Sequence, residues 1–179
     1  MLKSTLNNNY RIISTKTANF SFTYVSPPTK HCLYISGELD GTPFLNLTLT
    51  YPSSTVACVD RVSKITNAIP SGTVSQFYLW LFNKLNLTAL LSSGRRSDDA
   101  ERFWEKLRSD GGIKKWKAVF KENFQKESDD VYDLDAVQVI VKDRSDTIWG
   151  LAKTKEDFDI NFKIHYNNPD ECPWDILQA

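Results

Sequence analysis

The chain has little cysteine, almost no histidine and no excess of charge, and each shortage closes off a class of function. Its 179 residues hold three cysteines, Cys32, Cys58 and Cys172, far apart and none in a CxxC pair. That spacing supports neither a zinc site nor a dithiol motif, and it points to a reducing compartment. The two histidines, His31 and His165, lack metal-ligand spacing. Basic and acidic residues both number 22, so formal net charge is zero. A sequence-independent grip on nucleic acid needs a basic surface, so nucleic acid is not an expected partner. No window approaches the ~20 apolar residues that span a bilayer. The first residues, MLKSTLNNNYRI, lack an apolar core of signal-peptide length. A cytoplasmic location without membrane attachment is expected.

What is present is an ordinary globular composition, 41% hydrophobic and 25% charged. A chain of this size and make-up is expected to form one domain around one core. Residues 1–9 are polar and expected to be loose. Residues 167–179, with Pro169, Pro173 and Trp174, are expected to form an irregular tail.

From Arg11 to Ile65 the chain is rich in Val, Ile, Thr, Tyr and Phe. Four strands are predicted: Asn19–Val25, Cys32–Glu38, Phe44–Tyr51 and Thr55–Ile65. Pro27-Pro28, Asp40-Gly41 and Pro52-Ser53-Ser54 supply the turns. Links this short favour antiparallel hairpins. Phe44, Leu45, Leu47 and Leu49 alternate, with one apolar residue too many.

The period then changes. Val74, Phe77, Tyr78, Leu81, Phe82 and Leu85 fall on one helical face, with Ser71 placed to cap it. Leu87–Leu91 reads as a short buried strand and Ser92–Arg96 as a loop. Ala100, Phe103, Trp104 and Leu107 predict a second helix, opened by Ser97, Asp98 and Asp99 and stopped by Gly111-Gly112. Beyond it, Trp116–Phe124 suits a strand or a short helix, and Glu127–Asp135 reads as an acidic turn. Ala136–Val141, Thr147–Ala152 and Asp159–Tyr166 read as strands.

The run from Val62 to Gly72, with the helix Thr73–Leu85 behind it, resembles the cofactor segment of the GNAT superfamily of N-acetyltransferases. Members carry an arginine or glutamine and two glycines, spaced RxxGxG, at a helix start. Asn67 stands at the arginine position, Pro70 at the first glycine and Gly72 at the second. Ser97–Trp104 is similar to the family's NxxAxxFY helix, with Trp104 where many members have a tyrosine that protonates the leaving thiolate. There is a looser likeness to small phage-encoded proteins of GNAT type. The resemblance implies an α/β (α+β) fold with a mixed, mainly antiparallel sheet and two principal helices. The family's usual helices between the first two strands are absent, because the Val25–Cys32 link is too short for them.

The same resemblance implies acetyl-CoA as cofactor and an amine as acetyl acceptor. Backbone N–H groups at a helix start, aided by the helix dipole, suit a pyrophosphate. Asn67, Ser71, Gly72, Thr73 and Val74 would surround it, Val62 and Ser63 would meet the pantetheine arm, and Asp60 is the candidate base. Pro70 has no N–H to offer, and losing one donor at a charged contact costs about 1–3 kcal/mol. Trp104 offers only an indole N–H, which is no acid for a thiolate. These departures support an alternative: a catalytically inactive GNAT-like scaffold, phage-encoded, that binds and modulates a host protein in the host cytoplasm. Trp104 and Tyr78 are read as core and Cys58 as buried. Arg95 and Arg96, with Lys114, Lys115 and Lys117 further on, form either a phosphate contact or a solvated charged loop. Trp174, among the acids of the tail, is either a partner anchor or packed on its own domain.

Overall fold

A computed structural model describes residues 13–14, 19–26, 31–134, 136–165 and 174–179. The fold is α+β, with mainly antiparallel strand pairing and three helices among the described residues rather than two. The chain divides into two compact units, Met1–Leu87 and Thr88–Ala179. Residues 1–9, the Pro27-Pro28 turn and the tail up to Pro173 lie outside the described residues.

The first unit strings five strands into antiparallel neighbours: β1 (Ile13–Ser14), β2 (Asn19–Val25), β3 (Cys32–Leu39), β4 (Thr42–Ser53) and β5 (Val56–Lys64). The surplus apolar residue of β4 has a structural cause. Gly37 pairs with Leu45 and Glu38 with Pro43, so Phe44 is the extra residue of a β-bulge. The bulge lets Phe44 and Leu45, neighbours in sequence, both be buried. Helix α1 (Thr73–Lys84) lays Phe77 and Trp80 on the sheet. The Phe77 ring meets Phe20 and Phe44 edge-on at 5.5 and 5.3 Å. Its Cζ lies 2.8 Å from where a Cβ on Gly37 would stand, so the glycine is what admits the ring.

The second unit holds β6 (Ala89–Ser92), β7 (Arg95–Ser97), α2 (Asp98–Lys106), β8 (Lys114–Phe120), β9 (Asp130–Leu134), β10 (Val137–Asp143), β11 (Thr147–Ala152), α3 (Lys155–His165) and β12 (Trp174–Gln178). β11 pairs with both β6 and β8, and β12 with β8, all antiparallel. A smaller sheet runs β7-β10-β9. Helix α3 packs through Phe158 and Phe162, and the Phe162 ring meets Trp174 at 5.0 Å. Trp174 thus anchors within its own unit.

Several expectations are corrected here. Ser92–Arg96 is no loop, since β6 ends at Ser92 and β7 begins at Arg95. Within the acidic stretch Glu127–Asp135, Asp130–Leu134 is strand β9 and not a turn, Asp135 lies outside the described residues, and Ala136 stands at φ 66°. Asp159–Tyr166 is helical as far as it is described, and Trp116–Phe124 is a strand only to Phe120. The end of the tail is β12, not an irregular segment. Helix α2 ends at Lys106, and Gly111-Gly112, both at positive φ, make a separate turn closed by Asp110 and Ile113. No helix among the described residues is long and apolar enough to cross a membrane.

Candidate functional site

The residues singled out for the cofactor and the base all lie in the first unit, on β5, the loop that follows it and the start of α1. β5 changes character at Asp60. Thr48 pairs with Arg61 and Leu49 with Val59, which makes Asp60 the extra residue of a second bulge. Before it, Val56–Val59 are buried; after it, every residue to Lys64 is exposed. Among the described residues the Asp60 carboxylate reaches only Arg61, at 4.0 Å, and both side chains are open to solvent. That is a surface ion pair, worth at most about 1 kcal/mol. Val62 and Ser63 lie on this exposed half, across from Leu47 and Asn46.

The helix start departs from the expected cap. Gly72, not Ser71, is the N-cap residue, left-handed at φ 86°, and no side chain caps the helix. Only glycine takes that backbone cheaply. A Cβ there would meet nothing within 4 Å, so the space above Gly72 is open. Of the three N–H groups expected to face a pyrophosphate, one is committed, because Thr73 N–H donates to the Pro70 carbonyl at 3.2 Å. The Thr73 hydroxyl donates to the same oxygen at 2.6 Å. Asn67 and Ser71 are exposed, and Thr73 and Val74 are buried.

The second unit carries a polar cluster that the sequence reading did not resolve. Arg96 is 3% exposed. Its Nε donates to Glu101 at 2.6 Å and its Nη1 to the Ser93 carbonyl at 2.6 Å. The other Glu101 oxygen accepts from the Trp149 indole at 3.1 Å, and Ser92 Oγ accepts the Trp149 backbone N–H at 3.0 Å. Arg96, Glu101 and Ser92 together therefore tie β6, β7, α2 and β11. Arg95, pointing the other way, donates to Glu127, pairs with Asp130 at 2.8 Å and reaches the Ser128 carbonyl. Both guanidiniums are thus engaged by acceptors of the protein itself, on strand β7 and not in a solvated loop. Lys115 is also structural. Its ammonium donates to the carbonyls of Trp104 and Glu105 at 3.0 and 2.7 Å, closing the C-terminus of α2. Burial pulls its pKa down, against the opposing effect of Glu105. Trp104 and Tyr78 are core residues and Cys58 is buried, as the sequence suggests.

Beside this cluster lies a polar groove of about 340 Å³, bordered by Lys126, Lys142, Asp143, Arg144 and Asp146. Its charges face one another: Lys142 and Arg144 both pair with Asp98 and hold its carboxyl below the usual range. Burial pushes the Asp143 carboxyl up, but hydrogen bonds from the Glu127 and Ser145 N–H groups outweigh that and leave it low. The arrangement serves internal pairing better than proton transfer. Among the described residues no group of three or more His, Cys, Asp or Glu is placed to hold a metal ion.

The surface of the second unit is less ordinary at the β9–β10 hairpin. Val131, Tyr132, Val137 and Ile140 are 58, 44, 63 and 46% exposed. The register places Ile140 beside Val131 on one face, and Tyr132 beside Val139 on the other. Neither periodicity nor a motif marks this feature in the sequence; it follows from a strand whose two faces are both left uncovered. No protein-family model matches this chain, and comparison with the curated proteins finds no match either.

Proposed function

We propose that this chain is a catalytically silent scaffold of GNAT-like character that binds and modulates another protein, a host protein if the chain is phage-encoded. The observation that carries the reading is the β9–β10 hairpin with its four exposed apolar side chains. Scattered apolar residues on a surface are normal, but here they gather on one hairpin, Val131 beside Ile140 on one face and Tyr132 on the other, and such a grouping supports an interaction site. The candidate base weighs in the same direction: Asp60 is solvent-exposed and paired with Arg61 on the open half of β5. Capture from bacterial lysate tests the reading. The wild-type chain is expected to retain a stoichiometric protein, and the variant V131N/I140N, still folded by circular dichroism, to lose it. Equal retention by both, or no stoichiometric protein, rejects the reading.

A second reading keeps the chemistry: acetyl transfer from acetyl-CoA to an amine. It is favoured by the bulge at Asp60, since bulges recur beside active sites, and by the open space above Gly72. Val62 and Ser63 would line the pantetheine arm, Gly72 and Val74 would donate to the pyrophosphate, and Asp60 would be the base. Ligand bound only to the folded state raises its melting temperature. A clear upward shift at millimolar acetyl-CoA supports this reading; no shift rejects it.

A further inference from the structure

Building on the binding reading, we infer that β9 is the docking edge, and that its occupant is a basic, extended segment of a partner protein added as a fourth strand to the small sheet. β9 pairs with β10 on one side, and among the described residues no strand lies on its other side. An open edge presents unpaired N–H and C=O groups, a template for strand addition. Natural edges are blunted by charges, proline or a bulge; Asp130–Leu134 has no proline and no bulge, and its charges are all acidic, so they repel an acidic strand and admit a basic one.

The chemistry of the edge selects its occupant. Residues 127–133 carry Glu127, Asp129, Asp130 and Asp133 and no lysine or arginine. Arg95 satisfies Glu127 and Asp130, while Asp129 and Asp133 remain exposed on either side of Val131-Tyr132. A second copy of this chain is a poor occupant. Antiparallel pairing centred on Val131-Tyr132 sets Asp130 against Asp133, and like charges directly opposite destabilise a sheet. The complementary strand instead has two central apolar residues, one for each face, flanked by lysine or arginine. The apolar pair would lie beside Val131 on one face and Tyr132 on the other, with cations opposite Asp133, which is exposed, and Asp130, which Arg95 already contacts.

The test uses the full chain and two capped peptides, Lys-Thr-Lys-Val-Val-Lys-Thr-Lys and the same sequence with glutamate for lysine. Hydrogen exchange is read by residue. The lysine peptide is expected to slow exchange at residues 130–134 by about tenfold or more, as for newly paired strand amides. Its binding is expected to weaken as salt screens the pairing. Asp133→Lys should weaken it by about two- to fivefold, the scale of one exposed ion pair, with β10 protection unchanged as proof of folding. The glutamate peptide is expected to do nothing. Equal effects of both peptides, or no protection at 130–134 with the lysine peptide, overturn the inference. Failure of the parent reading looks different. If a protein captured from lysate protects β9 but the lysine peptide does not, only the assigned chemistry falls. If the captured protein leaves β9 unprotected, the hairpin is not the binding surface and both fall.

Discussion

Arg95 and Arg96 are adjacent and chemically identical, yet they meet opposite fates. Successive residues of a strand point to opposite faces, so β7 sends Arg96 inward and Arg95 outward. Arg96 must satisfy its donors inside the protein, and it does so on Glu101 and on the Ser93 carbonyl. Removing one member of a buried pair leaves the other charged and desolvated, which costs about 3–5 kcal/mol when burial is complete. Glu101 is 19% exposed, so Arg96→Met is expected to cost somewhat less, about 2–4 kcal/mol. Arg95→Met, at a partly exposed pair, should cost about 1 kcal/mol or less. Urea denaturation compares them; equal losses contradict the division of roles. The sequence could not separate the two because Ser92–Arg96 reads as a loop, and a loop has no inside. Had the three-residue strand been legible, alternation alone would have predicted one buried arginine.

At the scale of elements, each unit seats a helix on its sheet by the same device, an aromatic ring over a strand glycine. Phe77 of α1 sits over Gly37 of β3, and Phe158 of α3 over Gly150 of β11. A Cβ on Gly150 would lie 2.5 Å from Phe158 and 2.9 Å from Leu91. Both neighbours are fully buried, so neither can swing aside freely. Gly150→Ala is therefore expected to cost about 1–3 kcal/mol by overpacking, which lowers the melting temperature by about 2–10 °C. An unchanged melting curve would show that α3 is free to shift. Helix α1 was legible because six apolar residues share one face. Helix α3 was not, because Asp159 to Tyr166 alternates polar and apolar over eight residues and so reads as a strand. Burial of Phe158 and Phe162, four apart, overrides that alternation and leaves Ile160 and Ile164 exposed. The cue that could have decided it is Thr154, whose hydroxyl accepts the Asp157 N–H at the helix start. Strand β9 was hidden for a different reason. Aspartate is poor strand material, and the stretch is held as a strand by pairing with β10 and by Arg95.

At the scale of the whole molecule, the α+β character and the mainly antiparallel pairing follow from features visible in the sequence: short turns between β-rich segments, then helical spacing. The candidate site was legible only where it depends on local backbone. Gly72 at a helix start could be read; the bulge that turns β5 outward at Asp60 could not, because a bulge depends on the partner strand. The hairpin surface was not legible at all, since whether Val131 or Ile140 is core or surface depends on what packs against them. Zero net charge likewise conceals an acidic edge, because the compensating bases lie elsewhere. The binding reading rests on that edge and its apolar neighbours. Hydrogen exchange of the chain alone and in complex with the protein it retains from lysate is the most direct measurement. Slowed exchange at residues 130–134 and 137–141, with residues 60–74 unchanged, is the predicted result. Protection confined to residues 60–74, with the hairpin as open as in the free chain, would contradict it.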